Sequence, residues 1–323
     1  MRRVLAVDMG GTKTAVGLVS SDGKVLAKET FPTPLGEAGR LIEAIAEHAQ
    51  NFIASNNEAA PEEAQIHSIG MSLPGVVDVQ TGTLLVSPSS AWSNVPFSFL
   101  LEEALSLPVS SDNDVNACAL AEARFGSGRG LESFFWFQVS TGIGGAIYTK
   151  GQVLSGKHSM AGEIGHLMVK RGGALCGCGH RGCLEAEAAG PAWRRKALIK
   201  LDSKSPEGLG CLAGLDPAKF DAKDLAVGAR AGDNFCKELV AEIAENLAIG
   251  IAAVINILDP EALIIGGGVT ASWDLLESPI KQALPQFVFA SDRRSSDIRI
   301  SALGYDAALI GAAALALEDP RQR

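Results

Sequence analysis

At 323 residues the chain is long enough for about two domains, each with its own core. Apolar residues make up 47 % and charged residues 20 %, the balance of a soluble globular protein, and no apolar run reads as long enough for a membrane span. The formal net charge of −9 argues against a nucleic-acid partner, because binding phosphate backbones calls for a basic surface.

The opening "MRRVLAVDMGG" is too short in its apolar stretch for a secretory leader and reads as a buried strand over residues 3–8. "TAVGLVS" and "KVLAKET" flank "SDGK" as a hairpin. A helical pattern runs from about Glu37 to Phe52, followed by strands in "IHSIGMSLPG" and "GTLLVS". "LPVSSDND" is a strand stopping at acidic turn residues, and "VNACALAEARFG" is helical with Gly126 as its stop. In the second half, "SFFWFQVSTGIGGAIYTKG" reads as strand, glycine-rich bend and strand. Residues 233–258 form the longest helical pattern, leading into the strand "DPEALIIGGGV". "IRISALG" is a last strand and "DAALIGAAALALE" a last helix.

Each half therefore opens with a strand, a glycine-rich bend and more strand before turning helical. The pattern predicts two α/β domains facing a cleft: residues 1–113, and residues 114–305 with the cysteine-rich loop, the helix of about 306–323 packing back on the first. One doubly wound sheet is the alternative that alternation alone leaves open.

Several glycine loops follow strands. In "DMGGTK", Gly10 and Gly11 let the backbone turn its amides toward an anion, Thr12 and Lys13 add a hydroxyl and a charge, and Asp8 suits a magnesium ion shared with phosphate. "STGIGG" from Ser140 to Gly145, with Thr141 and Gly142, is a second such loop, and Gly266–Gly268, centred on Gly267, a third. None fits the Walker or dinucleotide-binding patterns. Glycine loops at several strand ends suit a nucleotide gripped between two lobes.

"SSDNDVNA" sets Asp112, Asn113, Asp114 and Asn116 at a strand-to-helix junction. A helix N-cap accounts for one of them. A carboxylate here is also placed to take the proton of an attacking hydroxyl.

Of six cysteines, Cys118, Cys211 and Cys236 are scattered and the other three crowded, which fits a reducing, cytoplasmic setting. His166, Cys176, Cys178 and Cys183 form H-x9-C-x-C-x4-C, a donor set for a closed tetrahedral zinc site with no position left for a catalytic water. His180 is the competing ligand. It ranks lower because its loop neighbours already ligate.

"DMGGTK", "SLPGVVD", "DNDVNA", "VSTGIGGAI", "GEIGH…CGCGHRGCLE" and "IIGGGV" occur in this order and together resemble the ROK family of bacterial sugar kinases and repressors. The resemblance implies an α/β, two-domain actin-like (ribonuclease H-like) fold, ATP with Mg2+ as phosphoryl donor, a hexose acceptor, a structural Zn2+ and a homodimer. By matching motifs it implies Asp114 as catalytic base, and Asn113, Asp114 itself, Gly75, Glu163, His166 and Glu185 around the sugar. It further implies Asp8, Gly10, Gly11, Thr12 and Lys13 as the first phosphate loop, Thr141 and Gly142 as the second, and Gly267 beside the adenosine. Many glucokinases of that family carry "Asn-Leu-x-x-Trp" against the sugar. Here "SPSSAWSNVPF" puts Ser89 or Ser90 there, and the shorter serine weakens a glucose assignment.

The leading expectation is an ATP-dependent sugar kinase acting on the 6-OH of glucose. N-acetylmannosamine, fructose, mannose or allose are the other acceptors, and polyphosphate the other donor. A sugar-responsive repressor ranks low, since the first loop strand starts near residue 3 and leaves no room for a helix-turn-helix domain. A zinc-dependent hydrolase ranks low because the metal set is saturated.

Overall fold

The computed structural model describes all residues except 35, 60, 88, 89, 91, 203–220, 294–296 and 319–323. The strands are β1 (Arg3–Met9), β2 (Lys13–Ser20), β3 (Val25–Pro32), β4 (Ile66–Leu73), β5 (Val76–Asp78), β6 (Thr83–Val86), β7 (Ser93–Val95), β8 (Val109–Asn113), β9 (Ser133–Val139), β10 (Ile143–Thr149), β11 (Gln152–Val153), β12 (Ala262–Gly266) and β13 (Asp297–Ile300). The helices are α1 (Ala38–Ala59), α2 (Phe97–Leu105), α3 (Asp114–Phe125), α4 (Leu184–Ala188), α5 (Gly190–Asp202), α6 (Ala222–Arg230), α7 (Asn234–Leu258), α8 (Trp273–Ala283) and α9 (Ala307–Leu317).

Two five-stranded sheets form rather than one doubly wound sheet, with orders β3-β2-β1-β4-β8 and β11-β10-β9-β12-β13. The orders are the same pattern written twice, as the repeated strand–bend–strand motif predicts. The chain divides into two compact units: Met1–Trp136 with Ala146–Ala161 and Ser301–Arg323, and Phe137–Gly145 with Gly162–Ile300. Helix α3 belongs to the first unit: it lies along α9, and α9 lies on β1, β4 and β8.

Within the first unit, β1 shows why its sheet is buried on both faces. Leu5, Val7 and Met9 point to a core with Leu41 and Ile45 of α1, while Val4 and Ala6 point to Leu309, Ala312 and Ala313 of α9. Each fully buried Leu, Val, Ile or Met among these contributes about 1.5–3 kcal/mol. The α9 side is built from small residues because helix and sheet come very close. A side chain at Gly70 would stand 1.6 Å from the carbonyl oxygen of Ala312.

In the second unit, β12 and β13 pair in parallel from Ala262↔Asp297 to Ile265↔Ile300. Helix α7 packs against α4, α5, α6 and α8. Helix α7, 25 residues long, contains a stretch long and apolar enough to cross a membrane. It carries Lys237, Glu238, Glu242 and Glu245, and 61 % of its apolar window is buried within the protein, so it is a core helix here.

Candidate functional site

In the first unit the site is set by strand register. β1 pairs in parallel with β4, and β4 with β8, so Asp8, Ser72 and Asp112 stand side by side where the three strands end. Strand carboxyl ends are where an α/β sheet exposes its chemistry. Ser72 Oγ donates to Asp8 Oδ1 at 2.7 Å. Asp112 Oδ1 accepts the Asn113 N–H at 2.7 Å and the Asn116 amide at 3.0 Å.

Asn113 then caps α3, its Oδ1 accepting the N–H of Val115 at 2.8 Å and of Asn116 at 3.2 Å. Its amide donates to the Gly75 carbonyl at 2.8 Å, tying the "LPG" turn to the acidic turn. Asp114, the first residue of α3, accepts the Val115 N–H at 3.0 Å. Burial, and then the negative charge of Asp8, push the Asp114 carboxyl up to about 7. Burial also raises Asp8, which Ser72 partly offsets. Two half-buried carboxyls whose negative charges bear on each other are a donor set that a magnesium ion would relieve.

The bend after β1 is a hairpin loop closed by Gly10 N–H to Lys13 O at 2.9 Å. Thr33 braces it, donating N–H to Thr12 O at 3.0 Å and Oγ to Gly10 O at 2.7 Å. Thr12 and Lys13 are exposed.

In the second unit, the Ser140–Gly145 loop closes by Ser140 N–H to Gly142 O at 2.8 Å. A side chain at Gly267 would stand 2.5 Å from the carbonyl oxygen of Val139, so the Gly266–Gly268 loop lies against the end of β9. Ile143 N–H donates to Glu185 Oε2 at 3.0 Å, and Glu185 Oε1 lies 3.6 Å from Cys176 Sγ. One carboxylate on α4 thus spans from the glycine loop to the cysteine cluster.

The cluster converges as its spacing predicts. One donor atom from each of His166, Cys176, Cys178 and Cys183 falls within 4.8 Å of every other. Cys178 Sγ to Cys183 Sγ and Cys176 Sγ to His166 Nδ1 are both 3.7 Å. A tetrahedral zinc with Zn–S of about 2.3 Å puts its sulfurs about 3.8 Å apart, so the residues fit that ion. His180 stands outside the group, its Nδ1 3.5 Å from Cys178 Sγ. Gly182 must be glycine: its φ is +76°, and a side chain would stand 1.7 Å from the carbonyl oxygen of Lys170. With Nδ1 toward the sulfurs, His166 turns Nε2 toward Glu163 Oε2, 3.9 Å away.

The residues singled out in the sequence thus fall into two sets. Asp8, Gly10, Gly11, Thr12, Lys13, Gly75, Asn113 and Asp114 belong to the first unit. Thr141, Gly142, Glu163, His166, Cys176, Cys178, Cys183, Glu185 and Gly267 belong to the second. Ser89 lies outside the described residues; Ser90 Oγ accepts Trp92 N–H at 3.4 Å. Sequence reasoning passed over Ser72 as a partner of Asp8. Its only signal was a polar residue at the end of an apolar strand.

The ROK family model matches residues 4–319. The glucokinase of Thermotoga maritima is 36 % identical over 98 % of this chain and 98 % of its own length. A ROK family glucokinase from Streptomyces griseus, solved with glucose and AMPPNP, superposes with a TM-score of 0.80 at 32 % identity, covering 99 % of this chain and 100 % of its own. A ROK hexokinase from Thermus thermophilus gives 0.78 at 34 % identity, with 98 % of each chain covered. The fold is accordingly the α/β, two-domain actin-like (ribonuclease H-like) one.

Proposed function

Because this chain belongs to the ROK family, we propose that it transfers the γ-phosphoryl group of ATP to the 6-OH of glucose, with Asp114 as the base. At the coarser level it is an ATP-dependent sugar kinase, a phosphotransferase with a hexose hydroxyl as acceptor. A regulator is the less favoured reading, since glucokinases are among its relatives at 34–36 % identity. What supports the finer reading is Asp114 itself: a carboxyl directly after the end of β8, pushed up to about 7 by burial and by the negative charge of Asp8.

In this mechanism the ionised Asp114 accepts the proton of the sugar hydroxyl as its oxygen attacks the γ-phosphorus. The new P–O bond forms as the bond to the β-phosphate bridging oxygen breaks, and ADP leaves. Such base assistance contributes about 10²–10⁴-fold. Asn113, Gly75, Glu163, His166 and Glu185 hold the sugar, with Ser89 as a further contact. Asp8, Gly10, Gly11, Thr12, Lys13, Thr141, Gly142 and Gly267 hold the nucleotide. Asp8 would hold Mg2+ together with phosphate oxygens, and the ion would offset charge developing on the transferred group. His166, Cys176, Cys178 and Cys183 would hold Zn2+ as a structural ion, all four positions filled by protein. The same reading makes the enzyme cytoplasmic and homodimeric, without a nucleic-acid partner.

A coupled ADP-release assay tests it, with glucose, mannose, fructose, allose and N-acetylmannosamine as acceptors and ATP or polyphosphate as donor. The expected result is the highest kcat/KM for glucose with ATP. Preference for another sugar would replace glucose, and no ADP with any sugar would remove the kinase reading.

A further inference from the structure

Lys196 is a buried ammonium with no part in the chemistry above. It lies on α5 with its side chain 7 % exposed, and its Nζ donates at 2.7 Å both to Glu187 Oε2 on α4 and to Glu242 Oε1 on α7. Glu187 is buried as deeply, and its other oxygen accepts the Ala174 N–H at 2.7 Å, in the loop entering the cysteine cluster. Glu242 is shared with Lys170 at 3.4 Å and Lys200 at 3.3 Å.

A buried ion pair is weak evidence for stability, because desolvating the charges offsets most of their attraction. Position explains this one better. α4 has five residues, closed by Glu187 N–H to Cys183 O and Ala189 N–H to Glu185 O, and a helix that short is marginal by itself. It nevertheless carries Glu185, and residues two apart on a helix face different ways. Glu187 points to Lys196 and Ala174, while Glu185 points to Ile143 N–H and Cys176. Fixing one carboxylate therefore fixes the direction of the other.

We propose that Lys196 is a positioning residue: by clamping Glu187 to α7 it holds the α4 turn that aims Glu185 at the sugar and at the Ser140–Gly145 loop. The sugar half of this statement rests on the reading of Glu185 as a sugar ligand. The loop half rests on the Glu185–Ile143 contact alone.

The test compares Lys196→Met and Glu242→Gln with the wild-type chain, reading KM for glucose, kcat, and hydrogen exchange of the amide of Ile143. Lys196→Met should raise glucose KM about tenfold while kcat stays within about twofold, the split expected when ground-state binding alone is lost. The Ile143 amide should exchange faster. Glu242→Gln, which removes the far anchor at a partly exposed position, should shift both readouts in the same direction by less. A folded Lys196→Met with wild-type KM and wild-type exchange overturns the proposal. Should Lys196→Met fail to fold, Glu242→Gln decides on the same readouts. If the wild-type protein phosphorylates no hexose, the kinase reading falls, and exchange at Ile143 alone decides whether Lys196 positions Glu185.

Discussion

Asp8 bears directly on Asp114: added to burial, its negative charge lifts the Asp114 carboxyl to about 7. A base with that pKa is half ionised at neutral pH, so turnover follows its titration. For the kinase, kcat/KM for glucose should climb with pH through about 7 at limiting Mg2+, with a slope of one proton. Saturating Mg2+ beside Asp8 should move the limb downward, since a nearby cation favours the carboxylate. A profile flat from about pH 5.5 to about pH 8.5 would count against Asp114 as the base.

The same shift makes Asp114 costly to the fold. Its folded pKa, about 7, lies above the ordinary 3.8, so the folded state holds the proton more tightly than the unfolded state. The stability tied to that proton is full below 3.8, is lost as pH rises toward about 7, and is gone above it. Asn cannot ionise. Asp114→Asn should therefore gain little in Tm over the wild type at about pH 4 and gain more at about pH 7.5, where the gap levels off. Melting curves across that range read it directly, and an equal gap at both ends would contradict the shift.

Asn113 holds two elements with one side chain, capping α3 and donating to Gly75. Asn113→Ala removes both, at about 1 kcal/mol for the cap and about 1 kcal/mol for the hydrogen bond. Urea unfolding should show a loss of about 2 kcal/mol, and glucose KM should rise as the Gly75 turn loosens. A loss confined to stability would leave Asn113 a cap only.

His166 faces the sulfurs with Nδ1 and Glu163 with Nε2. His166→Ala should therefore lose zinc and glucose affinity together, read by metal analysis and by calorimetry with glucose. Chelating the zinc from the wild-type chain should unfold the loop or weaken sugar binding, without stopping a chemical step selectively. Loss of metal with glucose affinity intact would separate the two roles.

Much of this site was legible because chemistry and local rules coincide in short stretches. The cysteine cluster had to converge if its glycines allowed tight turns, and Gly182 at positive φ does. "DNDVNA" announced a strand end and a cap, and Asn113 is that cap. The structure adds what needs pairing across the chain. Ser72 reaches Asp8 only through the parallel register of β1 and β4, which no local pattern encodes. Helix α2 was missed because "FSFLLEEAL" is short and begins after Pro96 without a side-chain cap. Likewise α3 packs along α9, nearly two hundred residues away in sequence, which no local pattern encodes.

As the proposed base, Asp114 contributes to the chemical step far more than to glucose affinity. The measurement that tests it most directly is kcat beside the glucose dissociation constant for Asp114→Asn and the wild type, in one buffer with saturating ATP and Mg2+. In Asp114→Asn, kcat should fall by about 10²–10⁴-fold with the glucose constant unchanged within about threefold. Wild-type turnover in the variant, or a loss wholly explained by weaker glucose binding, would contradict it.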